Sequence, residues 1–128
     1  MKVLDTSFLI DLLRGNPNVQ RVINEKDIFL TTQINMYEVL TGLLYLKSSE
    51  EKILVAKEMF DSIRVLPLED FGVIKAAEIC ANLTRKGEKI EDCDCLTAGI
   101  TLSKGINIIV TKNVKHFEKI KGIKVETY

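Results

Sequence analysis

Short apolar runs alternate with helical patterns along the whole chain, and few folds are compatible with that order. We predict strands over residues 2–4, 28–30, 64–66 and 107–110, with a weaker one over 124–126. Strands separated by helices form βαβ units, so the predicted fold class is α/β. We predict one domain over 1–128, with a central parallel β-sheet of four to five strands flanked by helices on both faces.

The intervals between the strands carry apolar residues at i, i+3 and i+4, the spacing of helices. This pattern predicts helices over residues 8–14, 18–25, 34–44, 49–60, 69–86 and 92–104. Gly15, Gly87 and Gly105 end three of them, since glycine readily adopts the left-handed conformation that closes a helix. Ser48 or Ser49 starts the fourth.

The composition is that of an ordinary globular domain, with 46% hydrophobic and 28% charged residues among 128. No apolar run approaches the ~20 residues of a membrane span, and no signal-peptide pattern opens the chain. We therefore expect a cytoplasmic protein without membrane contact. The formal net charge is zero, whereas proteins that bind nucleic acid through their overall field are usually basic. Any nucleic-acid contact must come from local patches or from a metal ion.

The cysteines and the common motifs exclude several classes of site. Cys93 and Cys95 flank Asp94, but a zinc site needs two more soft ligands at suitable spacing. Only Cys80 and His116 remain, so we interpret the cysteines as structural residues. An odd number of cysteines also argues against a disulfide framework. The chain has neither a glycine-rich phosphate loop nor, with a single histidine, a credible Ser-His-Asp arrangement.

Oxygen-bearing side chains follow several of the predicted strands. Asp5 comes directly after the first strand, Glu38 lies on the helix after the second, and Asp92 and Asp94 open the last long helix. The segment Thr111-Lys112-Asn113 follows the fourth strand. Ligands bind at the carboxyl ends of strands in an open parallel sheet. Two like charges ~5 Å apart cost roughly 3 kcal/mol at an effective dielectric of ~20, a cost that a divalent cation relieves.

Each of these residues also has a purely structural interpretation. Asp5 is either a helix cap or, if the hydroxyl residues after it cap the helix, a free carboxylate. Glu38 is either solvated or part of a site, and Gly42 favours the site because glycine in a helix costs ~1 kcal/mol and often marks a close approach by another backbone or a ligand. Asp92 is predicted as the N-cap of its helix. Residues 111–113 form either a turn or a set of site ligands.

Four blocks in a fixed order carry a resemblance to a known family. They are Leu4-Asp5-Thr6-Ser7-Phe8-Leu9-Ile10; Thr32-x-x-Asn35-x-x-Glu38-x-x-x-Gly42; Gly87-x-x-Ile90-x-x-x-Asp94-x-Leu96-x-Ala98; and Val110-Thr111-Lys112-Asn113-x-x-x-Phe117. Over nearly the whole chain, these blocks resemble the PIN domain family, and more narrowly the VapC-type toxin ribonucleases. The resemblance implies a single PIN-like nuclease domain.

In that family the matching acids bind Mg²⁺ or Mn²⁺ and cleave RNA. The resemblance implies that Asp5, Glu38 and Asp94 are the catalytic residues and metal ligands, with Asp92 as an auxiliary metal-binding acid. The side chains that would orient carboxylates or water are Thr6, Ser7, Thr111 and Asn113. The implied reaction is hydrolysis of an RNA phosphodiester by water, with Asp94 or Glu38 accepting the proton.

The resemblance also implies macromolecular partners besides the RNA substrate. Candidate contacts with the RNA backbone are Arg14, Lys112, Lys115 and Lys119, although solvated lysines are the ordinary interpretation. Family members usually form homodimers and are inhibited by a small antitoxin protein whose tail enters the active-site groove. The apolar helices over 39–46 and 53–60 either make such contacts or lie inside the domain.

The chain departs from the commoner family pattern at a few positions. His116 stands where an aspartate before Phe117 is frequent, and Thr97 and Gly99 replace the usual isoleucine and alanine. Asn113 is neutral where many PIN domains have aspartate, so we expect one tightly held ion rather than two.

Two other functions compete with the nuclease. A phosphate-accepting receiver domain needs an aspartate after its third strand, and Arg64-Val65-Leu66-Pro67 offers none. A non-catalytic PIN-like module that binds RNA or protein is disfavoured by the intact acids at positions 5, 38 and 94, but the neutral Asn113 leaves it open.

Overall fold

The computed structural model describes residues 1–128 and contains one five-stranded sheet. Its strands are β1 (Lys2–Leu4), β2 (Phe29–Thr32), β3 (Arg64–Leu66), β4 (Ile108–Val110) and β5 (Lys124–Glu126). Every pairing is parallel, in the spatial order β3-β2-β1-β4-β5. The predicted parallel sheet is confirmed, although β2 is displaced toward the C-terminus by one residue at its start and two at its end.

Seven helices connect the strands. They are α1 (Thr6–Leu13), α2 (Pro17–Ile23), α3 (Gln33–Tyr45), α4 (Glu50–Ser62), α5 (Asp70–Arg85), α6 (Asp92–Ser103) and α7 (Val114–Phe117). Six of them match predicted helices. Helix α7 was not predicted, because four residues are too few for an apolar period to be visible. None of the helices combines the length and apolar character that crossing a bilayer requires.

The order of the strands creates a crevice beside β1. The chain passes from β1 through β2 to β3 on one side, and then returns to β4 on the other side of β1. Strands β1 and β4 therefore form the topological switch point, where open parallel sheets bind their ligands. Asp5 follows β1 and Thr111 follows β4. The backbone N–H of Asp5 donates to the carbonyl of Val110 at 3.0 Å, which ties these two strand ends together.

Successive residues of β1 pack into different hydrophobic clusters. Val3 belongs to a cluster with residues of α5 and α6, whereas Leu4 belongs to a cluster with residues of α1, α2, α3 and α4. Both side chains are completely buried. Side chains alternate across a strand, so burial of both neighbours requires cover on both faces of the sheet. The predicted placement of helices on both faces is confirmed.

Gly99 allows helices α5 and α6 to pack at very close range. A Cβ at Gly99 would lie 2.6 Å from the carbonyl oxygen of Gly72 and 2.7 Å from the Cβ and the nitrogen of Ala76. No side chain fits into that space. The contact holds α6 firmly against α5, and α6 carries Asp94 in its first turn.

One prediction about an individual residue is wrong, and of the two alternatives for another residue one is excluded. Asp92 is not the N-cap of α6, because Glu91 occupies that position and makes no capping bond with its side chain. Gly42 does not mark a close approach by another part of this chain, because no atom lies within 4 Å of the position of its Cβ. Helix α3 therefore has open space beside Gly42.

Candidate active site

Asp5 lies at the N-cap of α1, but its side chain makes no capping hydrogen bond. Instead, Oδ1 accepts a hydrogen bond from Nδ2 of Asn35 at 3.0 Å, and Oδ2 accepts one from the hydroxyl of Thr111 at 2.6 Å. The residue is only 4% exposed. Of the two interpretations of Asp5, the structure supports a carboxylate that is available to a site and is held at both oxygens.

Asn35 connects Asp5 to the second acid. Its Oδ1 accepts a hydrogen bond from the Thr32 hydroxyl at 2.7 Å, so its amide hydrogens face the site. One of them is donated to Asp5 and the other to the hydroxyl of Thr6, at 3.1 Å. Thr6 in turn donates to Oε1 of Glu38 at 2.7 Å. Asp5 and Glu38 are thus linked through two side chains whose donor and acceptor roles are fixed.

Thr111 connects Asp5 to the third acid. Its hydroxyl donates to Asp5 and therefore accepts from Ser7 at 3.2 Å and from the N–H of Asn113 at 2.9 Å. The amide nitrogen of Asn113 lies 3.3 Å from Oδ2 of Asp94. One hydrogen-bonded network therefore joins residues at the ends of β1 and β4 with residues of α3 and α6.

Burial and the charges of neighbouring acids raise the pKa of all three carboxyl groups. Burial raises the pKa of Asp5, and the charge of Asp94 adds to the rise against the hydrogen bonds of Thr111 and Asn35. Burial also raises the pKa of Glu38, with further contributions from the charges of Asp5 and Asp94. The pKa of Asp94 is raised by burial, while His116 opposes the rise. The site thus holds acids whose charged forms are disfavoured without a compensating cation.

The donor set fits a hard divalent cation, although the side chains do not form a ready-made coordination shell. Three carboxylates and the Asn113 amide supply the oxygen ligands that Mg²⁺ and Mn²⁺ prefer. In the structure, no three Asp, Glu, His or Cys side chains converge closely enough to hold one ion. The oxygens of Asp5 and Asp94 are directed at hydroxyl, amide and imidazole groups instead, and a metal ion would have to displace some of these contacts.

A family model described as the PIN domain matches residues 2–123, which is almost the whole chain. The chain belongs to the PIN domain family. The family prediction from the four sequence blocks is therefore confirmed.

Individual PIN domain proteins align with the chain over nearly their full length. The tRNA(fMet)-specific endonuclease VapC of Salmonella typhimurium is 27% identical over 129 residues, which span 98% of this chain and 96% of the relative. Ribonuclease VapC19 of Mycobacterium tuberculosis is 28% identical over 122 residues, or 91% of this chain and 92% of the relative.

Solved structures of PIN domain complexes share the fold. The DNA-bound VapBC of Salmonella typhimurium superposes with a TM-score of 0.88 at 26% identity, covering 98% of this chain and 96% of that chain. VapBC2 of Rickettsia felis, bound to a promoter DNA fragment, reaches a TM-score of 0.83 at 20% identity over 99% and 98%. The second similarity concerns the fold alone.

Some predicted site residues of this PIN domain lie outside the network. Asp92 is exposed, and the nearest polar contact of its carboxylate is the sulfur of Cys80 at 4.0 Å. Arg14 follows the last residue of α1, about 12 Å from Thr6 along the helix axis. Lys112 is near the site, since its N–H donates to Ser7 at 3.0 Å, but its Nζ forms an ion pair with Asp11 at 2.7 Å. Lys115 is exposed.

Three residues of the PIN domain site received no role from the sequence. Asn35 bridges Asp5 and Thr6, His116 contacts Asp94, and the charge of Glu91 raises the pKa of Glu38 and Asp94. A signal for Asn35 was present, because it lies three residues before Glu38 and so shares its helix face. Likewise, His116 lies three residues after Asn113. Glu91 carried no comparable signal.

Proposed function

We propose that this chain is a metal-dependent endoribonuclease that hydrolyses phosphodiester bonds in RNA and is the toxin of a VapBC-like toxin–antitoxin pair. The observation that carries the proposal is the network joining Asp5, Glu38 and Asp94 at the switch point of the sheet. The relatives named as VapC endonuclease and ribonuclease support it. Such an enzyme acts in the cytoplasm, where its RNA substrate and its antitoxin are made.

The metal ion would be held by Asp5, Glu38 and Asp94, with the Asn113 amide as a neutral ligand or orienting group. A bound Mg²⁺ or Mn²⁺ supplies positive charge that acidifies water and stabilises charge on the phosphate oxygens. Asp92 could act as an auxiliary metal ligand only after its exposed side chain rotates toward the other acids. Thr6, Ser7 and Thr111 keep the carboxylates oriented toward the crevice.

Glu38 is the side chain best placed to accept a proton from water. Thr6 binds only one of its carboxylate oxygens, Oε1, at 2.7 Å. Its pKa is raised by burial and by Asp5 and Asp94, and a carboxylate of raised pKa is a better general base near neutral pH. Asp94 is less suitable, because His116 and Asn113 already contact its Oδ2. Asp5, bound at both oxygens, acts as the fixed anchor.

The RNA backbone would be bound by basic residues around the crevice. Lys115 is exposed and Lys112 is the second residue after β4, so both can approach phosphates on either side of the scissile bond. Because Asp11 offsets the charge of Lys112, we assign the larger contribution to Lys115. Arg14 would contact a nucleotide farther from the scissile bond.

An antitoxin tail would occupy the apolar groove between α1 and α3. A cavity of about 120 Å³ there is lined by Ile10, Leu13, Val39 and Leu43, and Gly42 leaves it open on one side. It adjoins a depression of about 560 Å³ that reaches α4. A homodimer would use other apolar residues that the monomer leaves exposed, among them Phe71, Val73 and Ile74 of α5.

The test is cleavage of a panel of structured RNAs by the purified chain with Mg²⁺, with Mn²⁺ or with EDTA. We expect cleavage with either ion and none with EDTA. Asp94→Asn and Asp5→Asn should abolish cleavage while the domain stays folded by circular dichroism. Asp61→Asn, at an exposed acid of α4 outside the site, serves as the matched control and should retain the activity. Undiminished cleavage by Asp94→Asn would contradict the proposal.

The second candidate is a PIN-like module that binds RNA or protein without cutting. The neutral Asn113 and the absence of a ready-made coordination shell favour it. The same experiment separates the two functions, because a binding module retains RNA in a filter-binding assay but yields no metal-dependent fragments.

A further inference from the structure

The imidazole of His116 is directed into the candidate active site. Its Nδ1 lies 2.6 Å from Oδ2 of Asp94 and 2.9 Å from the amide nitrogen of Asn113. The next residue, Phe117, is completely buried, so α7 is anchored and the ring is held in place. About a third of the His116 side chain remains exposed, which leaves the ring accessible from the crevice.

Nδ1 of His116 cannot satisfy both of its contacts in either tautomer, because an amide nitrogen only donates and an ionised carboxylate oxygen only accepts. With the ring proton on Nδ1, the ring donates to Oδ2 of Asp94 at 2.6 Å but faces the Asn113 amide nitrogen as a second donor at 2.9 Å. With the ring proton on Nε2, Nδ1 accepts from Asn113 but faces Oδ2 as a second acceptor. A cation shared by Nδ1 and Oδ2 removes this conflict. The same pair of atoms, slightly separated, is suited to share a metal ion.

The distance between these atoms is close to that of two ligands on one ion. Neighbouring donors on an octahedral ion held at about 2.1 Å lie about 3 Å apart. Nδ1 of His116 and Oδ2 of Asp94 need to separate by only a few tenths of an ångström from their 2.6 Å contact to reach that spacing. A small rotation of either side chain is sufficient.

We propose that His116 is a ligand of the metal ion and shifts the preference of the site from Mg²⁺ toward first-row transition ions such as Mn²⁺. The inference rests on the proposed function, because it concerns the same ion. Mg²⁺ prefers oxygen ligands and gives up its waters reluctantly, whereas transition ions accept imidazole nitrogen. An aspartate at position 116 would add an oxygen and a negative charge. His116 adds a nitrogen and no charge, which weakens the attraction for Mg²⁺.

The experiment is electron spin echo envelope modulation of Mn²⁺ bound to the purified chain, without a histidine tag. His116 is the single histidine of the chain, so modulation from an imidazole nitrogen can arise from no other residue. We expect this modulation in the wild type and in Glu118→Gln, which alters a neighbouring exposed acid. His116→Asp should bind Mn²⁺ without the modulation.

Calorimetric titration with Mn²⁺ and with Mg²⁺ adds a second readout. The ratio of the two affinities should fall in His116→Asp by at least about tenfold, the loss that even an outer partner of a metal ligand typically causes. An unchanged ratio would overturn the proposal, as would Mn²⁺ bound to the wild type without imidazole modulation. Failure of Mn²⁺ to bind the wild type would overturn it as well.

Cleavage assays on the same preparations keep the two proposals separate. Nitrogen modulation without RNA cleavage under any ion would support His116 as a ligand and reject the nuclease. Cleavage without nitrogen modulation would support the nuclease and reject His116 as a ligand.

Discussion

The hydroxyl of Thr6 donates to Oε1 of Glu38 and at the same time accepts from the amide of Asn35. Because the side-chain oxygen of Asn35 accepts from Thr32, none of these groups can reverse its role. The orientation of Glu38 thus depends on Thr6, the first residue of α1, and this dependence can be tested.

Replacing Thr6 with valine should reduce turnover more than substrate binding. The change removes the donor to Glu38 and leaves one of the two amide hydrogens of Asn35 without its acceptor, so the glutamate loses its orientation. We expect kcat for RNA cleavage to fall about 10- to 100-fold with a smaller change in KM, as measured by steady-state kinetics. The matched control Thr6→Ser restores the hydroxyl and should restore most of kcat. An unchanged kcat in Thr6→Val would show that the hydrogen bond to Glu38 is dispensable.

Glu38→Gln should stabilise the metal-free domain at neutral pH. The folded-state pKa of Glu38 is raised, so the wild type loses stability as the pH rises through that pKa, whereas the glutamine variant does not. The free energy of unfolding should therefore be similar at low pH and favour the variant at pH 7. Urea unfolding in EDTA at several pH values measures this difference. A gap that is widest at low pH would contradict the assigned sign.

A divalent ion should stabilise the wild type and fail to stabilise Asp94→Asn. Binding to the folded state alone adds about 2.7 kcal/mol to the free energy of unfolding when the ion is at 100 times its Kd. Thermal unfolding with and without Mn²⁺ measures the effect. Asp61→Asn is the control, and it should respond like the wild type because Asp61 is an exposed acid of α4 outside the site. Equal stabilisation of the wild type and Asp94→Asn would remove Asp94 from the metal site.

Two glycines in helices should respond to alanine in opposite ways. Gly99→Ala would force a Cβ against the Gly72 carbonyl, and we expect a loss of about 1–3 kcal/mol in the free energy of unfolding. Gly42→Ala meets open space and should gain about 1 kcal/mol from the better helix propensity of alanine. Urea denaturation of both variants provides the comparison. A destabilising Gly42→Ala would mean that α3 is strained at this position.

The two lysines near the site should contribute unequally to RNA binding. Nζ of Lys112 forms an ion pair with Asp11 at 2.7 Å and lies 5.2 Å from the ring centroid of Tyr128. Lys115 is exposed and forms no ion pair. We expect Lys115→Ala to reduce the slope of log affinity against log salt by about 1 and Lys112→Ala to reduce it less. Salt titrations with catalytically inactive Asp94→Asn protein measure both slopes. A larger effect of Lys112→Ala would show that RNA displaces Asp11.

The positions of the three acids could be predicted because the order of the elements determines them. Alternating strands and helices imply a parallel sheet, and the carboxyl ends of parallel strands share one edge, so Asp5 and Thr111 had to lie close together. Asp94 and Glu38 followed from the helices that start near this edge. Backbone topology is encoded in hydrophobic periodicity, which a single sequence displays.

The partners of these side chains could not be predicted in the same way. The ion pair of Lys112 with Asp11 depends on Tyr128, whose hydroxyl also binds Asp11 at 2.6 Å, although 117 positions separate the two residues in sequence. The N-cap of α6 lies one residue earlier than predicted, at Glu91 instead of Asp92, and the side chain of the predicted auxiliary acid is exposed. Such details depend on distances of a few tenths of an ångström and on helix phase, which periodicity does not encode.

Strand β1 has only three residues, yet Val3 and Leu4 are buried in the two separate hydrophobic clusters of the domain. Asp5 follows them directly, and its amide is bonded to Val110 in the neighbouring strand. We therefore expect the backbone of Asp5 to move only when the whole domain unfolds, and its amide proton to exchange with solvent at the rate of global unfolding. Local melting then offers no route to an inactive form, and we expect control over the proposed activity to come from a molecule that covers the crevice.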